Sequence, residues 1–131
     1  LKKVKINGSG DFKMKSPNGS SDFEYEINGS GDLQARVSAT SCKGTINGSG
    51  DVLIGGSAES FDLEIHGSGD VKALDFICSS VSVEIAGSGD AQVNASESLS
   101  VRIAGSGDVQ YKGNPKKLNQ KVAGSGELRK I

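Results

Sequence analysis

Apolar and polar residues alternate along this chain in short stretches, and the alternation restarts about every nineteen residues. The restart point is a recurring Gly-Ser-Gly followed by an acid. Two residues before the first Gly stand Ile6, Ile27, Ile46, Ile65, Ile85, Ile103 and Val122. One residue after the acid stand Phe12, Leu33, Val52, Val71, Ala91, Val109 and Leu128. Stepping back by twos reaches Val4, Tyr25, Gly44, Leu63, Val83, Val101 and Gln120, then Phe23, Cys42, Phe61, Val81, Leu99 and Leu118. Stepping forward by two reaches Met14, Ala35, Ile54, Ala73, Val93, Tyr111 and Lys130. Period two is the signature of strands with one face inward, so each repeat predicts a strand, a Gly-Ser-Gly corner and a second strand. Ile6 and Phe12 are both expected to point inward.

The motif starts at Gly8, Gly29, Gly48, Gly67, Gly87 and Gly105, with a Gly-Ser-Gly-Glu copy at Gly124, at intervals of 21, 19, 19, 20, 18 and 19 residues. A short, near-constant period across the chain signals a solenoid. Helices fit poorly, because glycine and β-branched residues are frequent and no apolar face recurs at helical spacing. The expected fold is all-β: a single-stranded parallel β-helix (solenoid) of about seven rungs of 18–21 residues, right-handed by the usual hand of parallel crossovers. Residues 1–131 form one domain. A second polar corner closes each turn at 16–21, 55–60, 94–98 and 112–117, where Gly, Pro, Asn and Ser supply turn chemistry. Outward positions such as Lys5, Glu26, Thr45, Glu64, Glu84, Arg102 and Lys121 become ladders when rungs stack, and opposite neighbours there stabilise modestly.

Asp11, Asp32, Asp51, Asp70, Asp90 and Asp108, continued by Glu127, form the most suggestive column. Carboxylates one rung apart repel by roughly 1 kcal/mol per neighbouring pair even in water, so something compensates. Either each acid accepts backbone N–H bonds at its corner, or the column holds hard cations such as calcium. The capping reading is preferred, since the motif lacks the other oxygen ligands calcium needs. The six aspartates remain the candidate metal ligands. Asn7, Asn28 and Asn47 share a column and predict an amide ladder, with His66, the chain's one histidine, following as a surface residue. Cys42 and Cys78 fall two rungs apart, beyond the ~7 Å Cα limit of a disulfide, and are expected reduced and buried. "ALDFICSS" at 73–80 reads as a short third strand facing the core. No nucleophile elbow, dinucleotide fingerprint or histidine pair occurs, so no catalytic residue and no cofactor is expected.

Composition narrows the classes further. The 34% hydrophobic fraction omits 19 glycines, and adding them brings the chain into the ordinary globular range. Net charge is −1 with both signs spread along the chain, leaving no basic stripe for nucleic acid. No run approaches the ~20 apolar residues of a membrane helix. The chain begins directly in a repeat, with no leader in this stretch.

The "INGSGDV"-like units, together with "SLSVRIAGSGDVQYKGNPKKLNQKVAGSGELRKI" at 98–131, resemble a known family. It is the auto-transporter adhesin head domain, or head GIN domain, a domain of unknown function, whose closing Tyr-Lys-Gly-Asn-Pro segment is matched by Tyr111 to Pro115. The resemblance implies a β-helical protein of the bacterial envelope or exterior, with this chain the C-terminal part of a longer family domain. It further implies an extracytoplasmic, non-enzymatic binding or structural module of adhesin type. Partners would be a glycan or a protein at the cell surface, with homo-oligomerisation open. The alternative is binding of an envelope lipid or other small molecule; a polysaccharide-active enzyme ranks behind both.

Overall fold

The computed structural model describes residues 2–15 and 20–130. Ten strands follow one another: β1 Lys2–Gly8, β2 Phe12–Lys15, β3 Ser20–Gly29, β4 Leu33–Gly48, β5 Val52–Gly67, β6 Val71–Gly87, β7 Ala91–Gly105, β8 Val109–Lys112, β9 Lys117–Gly124 and β10 Leu128–Lys130. Every pairing is parallel, in the order β1-β3-β4-β5-β6-β7-β8-β10, with β2 on β4 and β9 on β7. The register sets motif upon motif, Ile46 on Ile65 and Gly48 on Gly67. The result is a parallel β-solenoid of about six turns; seven corners bound six full intervals.

The inward columns form one continuous core. Ile27, Ile46, Ile65 and Ile85 are fully buried, as are Leu63, Val93 and Val109, to within a percent or so. Phe61 and Phe76 meet edge to face at 5.1 Å between neighbouring rungs, a favoured aromatic geometry. Where most rungs carry Leu or Val, β4 has Gly44, because the ring of Tyr25 from the rung before occupies that space. The Tyr25 hydroxyl is fully buried there and finds no hydrogen-bond partner among the described residues.

Three expectations need correction. The second polar corner seldom interrupts a strand: β4 to β7 each run 15–17 residues. Residues 55–60 and 94–98 bend inside the ladder, whose inter-rung bonds continue through pairs such as Val37–Gly56 and Ala39–Ala58. Only the segment after Lys112 leaves the ladder as a loop; residues 16–19, and the side chain of Met14, lie outside the described residues. Phe12 does not reach the core. It is 42% exposed, because β2 is covered by β4 on one side only, and Leu118 and Val122 of β9 are exposed at the opposite end for the same reason. The charges are also spread unevenly. Lys2, Lys3, Lys5, Lys13 and Lys15 lie in the first rung, and Lys112, Lys116, Lys117, Lys121, Arg129 and Lys130 in the last. Lysines on an open strand edge oppose edge-to-edge pairing with another chain.

Candidate functional site

The corner chemistry explains how the acids come to stand in a row. At each corner the first glycine has positive φ, from 102° at Gly8 to 132° at Gly105, a conformation that costs glycine nothing. The second is required by packing: a Cβ at Gly69 would lie 2.8 Å from Ile46 Cγ2 and inside contact distance of the Gly50 carbonyl. The Gly29 carbonyl accepts from both Ser49 N–H at 3.0 Å and Gly50 N–H at 3.2 Å, and the same fork recurs at Gly48, Gly67 and Gly105, while the Gly87 carbonyl accepts from Ser106 alone. Corners so clamped place the following acids one rung apart on a single edge.

Five of those acids, Asp32 to Asp108, accept a backbone N–H. The N–H of Asp51 donates to Asp32 Oδ1 at 3.2 Å, Asp70 to Asp51 at 3.3 Å, Asp90 to Asp70 at 3.1 Å, Asp108 to Asp90 at 3.0 Å, and Glu127 to Asp108 at 3.1 Å. One carboxylate oxygen per rung therefore caps the next rung, a charge-assisted bond that offsets repulsion along the column. The other oxygen has no part in this cap. Asp11, in the end rung, is exposed. Among the described residues no group of three or more His, Cys, Asp or Glu converges on a point where a metal ion could sit.

The sequence reasoning passed over the neighbouring column. Two residues after each acid, on the outward face of the second strand, stand Lys13, Gln34, Leu53, Lys72, Gln92 and Gln110. From Gln34 to Gln110 they line, with Asp32 to Asp108, a shallow furrow of two depressions, about 210 and 260 Å³, which share Asp70 and Lys72. Gln92 Nε2 donates to Gln110 Oε1 at 2.9 Å, so the amides themselves form a ladder. The signal was available in the period-two pattern, which puts residue +2 on the acid's side of the chain. A third hollow, about 290 Å³, continues the furrow past Gln34 and Leu53 to Lys13, Arg36 and Asp75. Such a surface offers carboxylate and amide acceptors, amide donors and scattered cations at one-rung intervals; it offers no nucleophile with a base beside it.

The other singled-out residues are structural. Asn47 Nδ2 donates to Asn28 Oδ1 at 3.0 Å and Asn28 Nδ2 to Asn7 Oδ1 at 3.1 Å, so the amide ladder forms. Asn28 also donates to Glu26 at 3.2 Å; that bond, with Lys5 beside it, holds the Glu26 carboxyl below its usual range. His66 is exposed beside Glu64, 3.8 Å away. Cys42 and Cys78 are free and buried. Burial pushes both thiols up, Cys78 to about 12, leaving too little thiolate for reactivity at neutral pH. Of the 73–80 stretch, Phe76 and Cys78 face the core as expected, while Ile77 points out and is 56% exposed.

The family model described as "Putative auto-transporter adhesin, head GIN domain" matches residues 1–115. Among solved structures, a putative adhesin from Bacteroides fragilis NCTC 9343 superposes with a TM-score of 0.80 at 19% identity, covering 100% of this chain and 93% of that one. This is a likeness of fold alone. A putative lipid binding protein from Parabacteroides distasonis ATCC 8503 gives 0.92 at 28% identity over 98% of this chain and 52% of its own. A putative adhesin from the same strain gives 0.89 at 24% identity, over 99% and 56%. The chain thus spans about half the length of the two Parabacteroides proteins. No curated protein matches it.

Proposed function

This chain belongs to the auto-transporter adhesin head GIN domain family, and from that premise we propose that it is a non-enzymatic, extracytoplasmic binding module that lays an extended glycan along the acid furrow. The observation that carries the reading is the furrow itself. Asp32, Asp51, Asp70, Asp90 and Asp108 run beside Gln34, Lys72, Gln92 and Gln110. Sugar hydroxyls are donors and acceptors at once, and carboxylates and amides in a repeating row satisfy both roles. The rung spacing, ~4.8 Å, presents the same groups to successive units of a polymer. Acids in one row with backbone caps suit holding rather than hydrolysis, which needs two carboxyl groups on opposite sides of the scissile bond.

A glycan array followed by calorimetry on the best hits tests this. The wild type binds an extended glycan, and Asp70→Asn with Asp90→Asn weakens binding ten-fold or more while leaving the fold intact, since an asparagine Oδ1 still accepts the capping N–H. Each charged hydrogen bond lost is worth about 1.5–3 kcal/mol. Absence of any glycan signal, or unchanged affinity in the double variant, overturns the reading.

Lipid binding is the second reading, favoured by the name of the 28%-identical Parabacteroides protein. Against it stand a core filled by side chains and open depressions in which acids, amides and lysines stand among the apolar residues, Leu53 being the one large apolar side chain exposed there. Among the described residues no helix is long and apolar enough to cross a membrane. Fatty-acid and vesicle binding, measured beside the glycan assays, separates the two.

A further inference from the structure

In a stack this regular the departures are informative, and three of them meet on one face. Gly55 is the first. Its φ is not positive, and a Cβ there would make only ordinary contacts, 3.6 Å from Arg36 Nη1 and 3.6 Å from Asp75 Cβ. Neither backbone nor packing demands glycine, in contrast to Gly56 beside it, whose φ is 118° and whose Cβ would strike the Val37 carbonyl. Glycine inside a strand often marks a bulge, a tight bend or the close approach of a ligand, and Gly55 lies buried between Arg36 and Asp75 at the floor of a hollow. The second departure is a bulge. Leu53 pairs with Lys72 and Gly56 with Phe76, so β6 carries one residue more than β5 at this point. Strict alternation from buried Ala73 would carry Asp75 inward; the extra residue turns it out to solvent. The third is Leu53, the one large apolar side chain in its outward column, 49% exposed.

These features line the third hollow, about 290 Å³, with Lys13 and Arg36 on the wall opposite Asp75. Lys15 stands in register with Arg36 on the neighbouring strand. Among the described residues the ion pairs are Lys3–Glu24, Lys5–Glu26, His66–Glu64 and Arg129–Glu127; neither Lys13 nor Arg36 takes part. A guanidinium without an acid partner in a hollow is a fork for a carboxylate. The volume, near the ~300 Å³ lower bound of small-ligand pockets, suits one sugar unit rather than a chain.

We propose that this hollow is a subsite for an acidic sugar, a uronate unit of the glycan in the adjoining furrow. Arg36 and Lys13 hold its carboxylate, Gln34 and Asp75 take its hydroxyls, and the apolar face of its ring rests on Leu53. The proposal rests on the glycan reading above for the polymer, and it makes a separate statement about the monomer.

The test is an amide-resolved NMR titration of the whole chain with galacturonate and with galactose, beside calorimetry with a neutral galactan and with the same galactan carrying isolated galacturonate units, since a polymer charged at every unit would be repelled by the aspartate row. Galacturonate shifts the amides of Gln34, Gly55 and Asp75 saturably, and galactose does so at least ten-fold more weakly. Arg36→Gln, an exposed change, abolishes that preference, and Gly55→Val, whose Cβ fits but whose branches fill the hollow, loses the response to both sugars. Equal responses to the two sugars, or an undiminished preference in Arg36→Gln, overturn the subsite. Polymer binding that depends on Asp70 and Asp90 without charge preference overturns the subsite and keeps the furrow. Monomer preference without polymer binding does the reverse, and silence from both monomer and polymer overturns both.

Discussion

The corner at residues 6–12 and the corner at 65–71 read almost alike, INGSGDF against IHGSGDV. Around Gly8 and Gly10 an added Cβ would meet no atom within 4 Å. Around Gly69 it would strike the Gly50 carbonyl and stand 2.8 Å from Ile46 Cγ2. Phe12 is 42% exposed, whereas Val71, at the same place in its copy, is 1% exposed. The difference is one rung of neighbours. A residue of a solenoid is as constrained as the rungs on either side make it, so equal sequence does not mean equal stability contribution.

The sharpest way to break that comparison is a pair of alanines. Gly69→Ala loses about 4 kcal/mol or fails to fold, because the obstacle is backbone and cannot give way. Gly10→Ala stays within about 0.5 kcal/mol in the same urea melts; equal losses would show that the corner alone, not the stack, requires the glycine. Next in size, Leu33→Ala costs about 3 kcal/mol from its buried site. Phe12→Ala, one rung earlier and a larger truncation, costs about 1 kcal/mol or less, since transfer to water has largely happened already. Thermal unfolding of the two variants side by side would expose an error in that ranking.

Tyr25→Phe goes the other way. Removing a buried hydroxyl that lacks a partner raises stability by about 1–2 kcal/mol, and a fall in melting temperature would mean the hydroxyl is satisfied after all. The smallest effect concerns the exposed amide ladder. Asn28→Ala costs about 1 kcal/mol or less and lets Glu26 titrate closer to its ordinary value, read by NMR across pH 2–7. The sign follows from the depressed folded-state value. The Glu26 contribution is present above the unfolded-state pKa and fades as pH falls through the folded one, and Asn28→Ala flattens that dependence. A Glu26 titration unmoved by the substitution would assign the shift to Lys5 instead.

Much of the architecture was legible before any coordinates. The isoleucine column, the Gly-Ser-Gly corners and the Asn7–Asn28–Asn47 ladder all involve residues one period apart, and a parallel stack turns one period into direct contact. The acid column was legible as a column, but its capping N–H comes from the acid of the next rung, as Asp70 to Asp51, and not from the acid's own corner as turn chemistry suggested. The furrow was legible only in part: period two puts Lys72 on the side of Asp70, but it does not show that the space along the two columns stays hollow. Nor was the space above Gly44 readable: a lone glycine among Leu and Val does not announce that Tyr25 fills its place. The bulge at Asp75 escaped for a related reason, since the 20-residue interval places one extra residue somewhere in the rung without saying where.

What the sequence by itself determined is the repeat and everything that follows from stacking like upon like: strand period, corner chemistry, amide and acid columns, two thiols out of each other's reach. Those contacts are set by spacing along the chain. The tertiary structure alone decided which copies are covered and which are open, which outward columns border a groove, and where one glycine leaves a hollow between Arg36 and Asp75. Those depend on what stands beside each rung and on how the strand bends, and neither is written in the period.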